Sequence, residues 1–201
     1  MDILGFAAIV ALLTLTPGLD TALILRTSLI SGRRAAWGVV LGIQLGTLVW
    51  GLLTAVGLSA LLTASQTAYD VLRWAGAAYL VWMGIRMLLH RPAAAEAPAE
   101  VVGFAVGLRR GLLTNLLNPK VGAFYVAMLP QFIPPDAPHA AMGLLLAGVH
   151  VAEGLVWSLA LIAFAALLSD FLRGPRVRSL LDRVTGAVII GFGLRLALDQ
   201  H

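Results

Sequence analysis

The residues of this sequence with the clearest chemical potential are two charges inside long apolar runs. Asp20 closely follows Thr16-Pro17-Gly18, and Lys120 directly follows Asn118-Pro119. A charge at the centre of a bilayer costs roughly 2.5–3.5 kcal/mol on insertion scales, so it persists where it pairs or lines a watery path. Lys120 therefore needs an anion, which could be Asp20, the carboxylate of a substrate, or each in turn. The alternative for Asp20 is a side chain that reaches the nearest membrane surface.

The prolines beside these charges predict interrupted helices. Pro17 and Pro119 lack a backbone donor, which leaves the carbonyl groups of Leu13 and Asn115 without their usual partners. The preceding residues, threonine and asparagine, are typical helix N-caps, with proline then at the first helical position. A helix that stops and restarts would turn free N–H groups and a positive dipole end toward the membrane interior. The other interpretation is a simple kink. The candidate residues at the two breaks are Thr16, Pro17, Gly18, Asp20, Asn115, Asn118, Pro119 and Lys120.

Three further polar residues complete the candidate set. His150 and Glu153 are spaced so that they share one helical face. Together they suggest a proton carrier or a polar substrate contact, and equally a pair that hydrogen-bonds internally and packs helices. Gln44 favours helix packing over ligand binding, because it lies among small residues that let another helix approach closely. Those small residues are Gly38, Gly42 and Gly46.

The composition indicates that lipid is the solvent for much of this chain. Of its 201 residues 60% are hydrophobic and only 12% are charged, against about 25% charged in soluble domains. The net charge of +4 arises from arginines between apolar runs, which argues against a nucleic-acid partner. With no cysteine there is no thiolate metal site, and we expect neither a metal nor a cofactor. The N-terminal run has no basic region before it, which favours a retained span over a signal peptide.

The apolar runs predict an all-α membrane protein with six transmembrane helices. The predicted spans are about 3–25, 37–62, 71–89, 111–133, 140–168 and 184–198. They divide into a first three-helix repeat, 1–91, a cytoplasmic linker, 92–103, and a second three-helix repeat, 104–201. Lys and Arg concentrate in the first, third and fifth loops. The positive-inside rule then predicts a multi-pass protein of the bacterial inner (plasma) membrane with both termini in the periplasm.

Matches between the two halves predict an inverted repeat. The motifs at Pro17 and Pro119 are 102 residues apart, as are Gly46 and Gly148. The last spans also agree, at an offset of 109, where residues 84–89 match 193–198. Inverted repeats with broken helices at corresponding places are typical of transporters.

These residues also carry a family resemblance along nearly the whole chain. Thr16–Asp20 resembles the TPGPD-like motif in the first span of the LysE/RhtB amino-acid exporters, and Gly32–Gly38 is similar to their G-x-R-x-G loop. Trp74–Leu80 resembles their third span. Asn115–Lys120, followed by Phe124 and Leu129–Phe132, resembles their most distinctive motif. Two departures are Leu19 in place of the second proline and an alanine at the loop glycine.

The resemblance implies export of amino acids or close derivatives, driven by the proton-motive force. The expected partners are a small-molecule substrate and the bilayer, and a homo-oligomer is compatible with the sequence. The residues alone leave two alternatives, an intramembrane enzyme or a passive channel that uses the same buried charges. The enzyme is disfavoured, because no hydrolase or metalloprotease motif is present in the sequence.

Overall fold

The structure is a computed structural model that describes residues 2–64, 66–89, 101–134, 136–173 and 175–198. Within these ranges the ordered elements are helices and no strand occurs, so the all-α prediction is confirmed for the described chain. Of the predicted linker 92–103, residues 92–100 lie outside the described residues. The helices are α1 (Ile3–Leu15), α2 (Leu19–Ser31), α3 (Arg33–Ala64), α4 (Gln66–Leu89), α5 (Phe104–Leu116), α6 (Pro119–Met128), a 3₁₀ turn (Leu129–Phe132), α7 (His139–Ala163), α8 (Ala165–Arg173) and α9 (Pro175–Leu198).

Local sequence explains several helix ends. Asp2 caps α1, and its side chain accepts a hydrogen bond of 2.8 Å from the backbone N–H of Gly5. Gly32 ends α2 with a positive φ of 83°, a conformation in which glycine avoids the steric cost of a Cβ atom. Because α3 begins at the next residue, this glycine sets the turn between the two helices.

Two described helices are long and apolar enough to cross a membrane. They are Arg33–Gly57 within α3 and His139–Ala163, which is α7. The pair α1 and α2 also passes when the two are taken together, although they are bent by 52° at the intervening break. These two or three spans are the part of the six-span prediction that length and apolarity support in the described residues.

Helices α3 and α5 pack with their backbones in close contact. A methyl group added at Gly42 would collide with the carbonyl oxygen of Leu108, and one added at Gly111 would collide with the carbonyl oxygen of Val39. Gly38 and Gly107 make similar contacts with the opposite helix. The glycines predicted to admit a neighbouring helix therefore admit α5, and α5 contributes glycines of its own.

The corresponding glycines of the predicted repeat differ in their surroundings. A Cβ atom at Gly46 would meet the Asn115 side chain, whereas one at Gly148 would find nothing within 4 Å. The first half is thus tightly packed at a position where its counterpart in α7 is open.

Two hydrophobic clusters flank the centre of the fold. The first joins α1, α4, α6 and the 3₁₀ turn with parts of α3, α7 and α9, and its largest buried side chains include Phe6, Phe124 and Tyr125. The second joins α2, the beginning of α3, the end of α7 and α8, around Val39, Val40 and Leu161. A cavity lies between them, because members of both clusters line it.

Candidate functional site

The first helix break differs from the sequence prediction in where the chain restarts. Helix α1 ends at Leu15, and α2 begins at Leu19 with Gly18 as its N-cap, so Pro17 is not the first helical residue. The Thr16 hydroxyl donates 2.7 Å back to the carbonyl oxygen of Leu12 and also contacts the Thr185 hydroxyl of α9. Because Thr16 is engaged with the preceding helix and with α9, the N-terminus of α2 has no side-chain cap.

The second break follows the predicted pattern. Asn118 is the N-cap of α6, and its side-chain oxygen accepts a hydrogen bond of 3.1 Å from the backbone N–H of Lys120. Pro119 is the first residue of the helix, where its missing donor costs nothing. The carbonyl oxygen of Asn115 accepts hydrogen bonds from the backbone N–H of Asn118 and from the indole N–H of Trp50. Both donors are neutral, so no charged side chain is needed to satisfy this carbonyl group.

Lys120 completes the first break. Its ammonium group donates to the carbonyl oxygens of Leu13 at 2.8 Å and Thr16 at 2.9 Å, both at the C-terminal end of α1. A cation is disfavoured at the start of its own helix but favoured at the C-terminus of another, because the helix dipole is negative there. The carbonyl of Leu13, which Pro17 deprives of its usual donor, is therefore satisfied by a residue 107 positions later.

Asp20 lies in the first turn of α2, where the dipole favours an anion. One carboxylate oxygen accepts a hydrogen bond of 2.9 Å from the Asn115 amide, and Asn118 also interacts with this carboxylate. The positive charge of Lys120 acts on Asp20 as well. The second oxygen, Oδ1, is buried and has no hydrogen-bond partner among the described residues. The site therefore retains an acceptor beside its cation.

The predicted residues of α3 and α7 take different places. His150 lines the cavity, and its Nδ1 lies 3.0 Å from the Tyr125 hydroxyl. The two rings stack with their centroids 5.8 Å apart. Gln44 also lines the cavity, with its amide against Gly154. Glu153 does not line it, and its buried Oε2 has no partner in the described chain.

Most of the candidate residues line one cavity, whose empty volume of about 570 Å³ includes space that is open to the outside. The predicted residues that line it are Thr16, Gly18, Asp20, Gln44, Asn115, Asn118, Lys120 and His150. Pro17 and Pro119 shape the breaks without lining the cavity. Among the described residues, no group of three or more His, Asp or Glu side chains could hold a metal ion.

Sequence reasoning missed several lining residues. Thr47 follows Gln44 by one helical turn, and Trp157, Ser158 and Leu161 follow His150 at helical spacing on α7. That spacing was the available signal, since residues three, four, seven, eight and eleven apart share a helix face. Thr185 is a different case. It contacts Thr16 from α9, and no local pattern links these two distant positions.

Comparisons with known proteins identify the family of this chain. A family model described as LysE type translocator matches residues 11–200. The chain belongs to the LysE type translocator family. It is 33% identical over 201 residues to an uncharacterized membrane protein of Vibrio cholerae, and the match covers 98% of each chain. It is 31% identical over 197 residues to a homoserine/homoserine lactone efflux protein of Salmonella typhimurium, which covers 94% of this chain and 93% of the relative.

A third relative, an uncharacterized membrane protein of Bacillus subtilis, is 25% identical over 208 residues, covering 98% of this chain and 99% of the relative. No solved structure gives a significant match. Membership of the LysE type translocator family confirms the resemblance carried by the two helix-break motifs. Together with the apolar helices it gives the protein a membrane location and transport as the activity of its family.

Proposed function

We propose that this LysE type translocator is a proton-coupled secondary exporter of amino acids or small amino-acid derivatives across the bacterial inner membrane. The observation that carries the proposal is the cavity at the two helix breaks, where Lys120 and Asp20 lie beside unpartnered polar atoms. An amino acid carries one carboxylate and one ammonium group. A site with one cation and one anion therefore matches both ends of such a substrate.

The carboxylate of the substrate binds at the restarted first helix and Lys120. Gly18 lines the cavity at the N-terminus of α2, where no side chain caps the backbone N–H groups. Such an N-terminus favours an anion, and the ammonium group of Lys120 adds a full positive charge nearby. The glycine lets a ligand approach the backbone without meeting a side chain.

The ammonium group of the substrate binds at Asp20 and Asn115. Asp20 Oδ1 and Asn115 Oδ1 are both buried acceptors without a partner among the described residues. Buried acceptors of this kind are costly unless a donor reaches them, and an ammonium group supplies three donors. Homoserine lactone, named for the Salmonella relative, has no free carboxylate, so the ammonium group is what it shares with homoserine. We propose that this chain exports substrates of the same kind.

The transport cycle uses six spans arranged as two inverted repeats. Helices α4 and α9 pack against each other, as the third helices of two such repeats can. Pro175 follows Gln66 by 109 residues, the offset at which the last predicted spans match. In this arrangement both termini lie in the periplasm. Reporter fusions at the C-terminus test this: a periplasmic reporter is expected to be active, and activity of a cytoplasmic reporter instead would reject the orientation.

The exporter is tested by purified protein in proteoliposomes loaded with labelled homoserine or threonine. An imposed proton gradient is expected to drive release of unchanged substrate, together with substrate-dependent proton movement. Release without proton movement would indicate the passive channel, and recovery of chemically altered label would indicate the enzyme. The matched control is Asp20→Asn, which keeps the size of the side chain and removes its charge, and it is expected to abolish the coupled flux.

A further inference from the structure

The cavity contains a neutral region distinct from the two helix breaks. Ile24, Ile43 and Leu161 line the cavity and belong to the second hydrophobic cluster, to which no residue of either break contributes. The hydroxyl-bearing residues Thr47 and Ser158, both buried, line the cavity from the same two helices as Ile43 and Leu161. The site thus offers charge at the breaks and an uncharged wall between α3 and α7.

In the proposed binding mode, the α-carboxylate and α-ammonium groups of one substrate engage both charges of the cavity. Asp20 and Lys120 are the only Asp, Glu, Lys or Arg residues that line the cavity in the described chain. His150 is held by Tyr125 through a hydrogen bond and ring stacking. A charged substrate side chain would therefore enter a region without a counter-ion, and an unpaired buried charge is strongly disfavoured.

The neutral region nevertheless has hydrogen-bonding capacity. Trp157 lines the cavity, and its buried indole N–H has no acceptor among the described residues. A buried donor without a partner is uncommon, and a substrate hydroxyl or carbonyl oxygen would satisfy it. Ser158, the next residue of α7, and Thr47 of α3 also line the cavity, and their hydroxyl groups can exchange hydrogen bonds with a polar substrate side chain.

From this distribution of charge we infer that the protein selects amino acids with uncharged side chains, and that Thr47, Trp157 and Ser158 favour those with a hydroxyl or carbonyl oxygen. Basic and acidic amino acids are excluded because the region that receives the side chain has no charge to pair with them. The inference rests on the proposed function, since it assigns the α-groups to Asp20 and Lys120.

Counterflow in proteoliposomes with labelled threonine, leucine, lysine and glutamate tests the selection directly. Labelled threonine and leucine are expected to be transported, threonine faster, whereas labelled lysine and glutamate are not. Unlabelled lysine and glutamate should also fail to inhibit the uptake of labelled threonine. Transport of lysine or glutamate at the rate of the neutral substrates overturns the inference but leaves the exporter function intact. Absence of transport for every amino acid overturns both.

Two variants place the selectivity in the neutral region. Ser158→Asp supplies the missing anion, so we expect it to gain lysine transport of at least tenfold over background, whereas the size-matched Ser158→Asn does not. Lysine transport that is equal in the two variants overturns the assignment of this region.

A hydroxyl deletion gives a second, independent measurement. Thr47→Val is expected to reduce the preference for threonine over leucine about three- to tenfold, in keeping with one lost hydrogen bond. Thr54→Val is the matched control, because Thr54 lies two turns further along α3 and does not line the cavity. An unchanged preference in Thr47→Val overturns the role of its hydroxyl. If Ser158→Asp fails to reach the membrane, this comparison decides alone.

Discussion

The two helix breaks are alike in sequence but are completed in different ways. At the second break Asn118 caps the new helix, and the carbonyl oxygen of Asn115 is satisfied by the neighbouring backbone and by Trp50. At the first break the new helix has no side-chain cap, and the carbonyl oxygen of Leu13 depends on Lys120. The second break is thus completed by neutral groups, whereas the first is completed by a charged residue of the second.

In the proposed exporter, this dependence makes the first break the one that a substrate can alter. A neutral cap within one segment has no reason to change when a ligand arrives. Lys120, by contrast, donates hydrogen bonds to two carbonyl oxygens and also interacts electrostatically with the Asp20 carboxylate. A substrate carboxylate that attracts Lys120 would loosen its hold on the end of α1, which couples ligand binding to the geometry of the break.

The largest expected effect comes from removing the cation. Lys120→Met keeps the length of the side chain but leaves the carbonyl oxygens of Leu13 and Thr16 without this donor. We expect a loss of stability of about 1–3 kcal/mol for the orphaned acceptors, together with loss of transport. Thermal unfolding in detergent and efflux at matched membrane abundance measure the two. Wild-type stability and transport would show that the first break does not depend on Lys120.

The second prediction is that Asp20 and Lys120 are energetically coupled. Asp20→Asn removes the anion and is expected to abolish proton-coupled transport, as in the proteoliposome assay. The double variant Asp20→Asn with Lys120→Met leaves no unpaired charge, so it should be more stable than the sum of the single losses predicts. A coupling energy of about 0.5–3 kcal/mol in the double-mutant cycle is expected. Additive effects would mean that the two residues act independently.

The third prediction separates the two prolines. Pro17→Ala supplies a backbone N–H that can bond to the carbonyl oxygen of Leu13, in competition with Lys120. Pro119→Ala leaves the Asn118 cap in place, so the second break should persist. We expect transport to fall several-fold further in Pro17→Ala than in Pro119→Ala at equal membrane abundance. Equal losses would contradict the difference between the breaks.

The smallest expected effects concern the caps themselves. Asn118→Ala removes the N-cap of α6 and should cost about 1 kcal/mol of stability. Gly18→Ala should cost little, because the φ of −143° is accessible to any residue and a Cβ atom would approach Lys120 no closer than 3.9 Å. If Gly18→Ala folds normally yet loses transport, the methyl group is blocking substrate; a loss of stability larger than that of Asn118→Ala would reverse the comparison.

The sequence predicted the parts of this fold that depend on local chemistry. The all-α class, the capped restart at Asn118-Pro119 and the close approach of a helix to Gly42 each follow from short patterns. The restart at Leu19 was not predicted, because Thr16 bonds backward to Leu12 and across to Thr185 instead of capping forward. Contacts between distant residues decided that outcome, and no local pattern records them.

The same limit applies to the candidate site. Charge and proline spacing singled out Asp20, Lys120 and the two asparagines, which the structure brings together in one cavity. Glu153 was grouped with His150 from helical spacing, yet it does not line the cavity. Spacing on a helix defines a shared face but not which neighbour that face meets. For that reason Thr47 and Ser158 were not identified, although they lie on the same faces as Gln44 and His150.

The contrast between the tight α3–α5 contact and the open position at Gly148 has a practical consequence for spectroscopic studies of conformational change. The α3–α5 seam has no room for a single carbon atom at Gly42 or Gly111, so we expect it to behave as the rigid frame of the molecule. Gly148 is exposed, and no neighbour lies within 4 Å of a Cβ atom placed there. A label on a cysteine at Gly148 would therefore sit on the outer surface of α7 without displacing a neighbour, in a chain with no other cysteine.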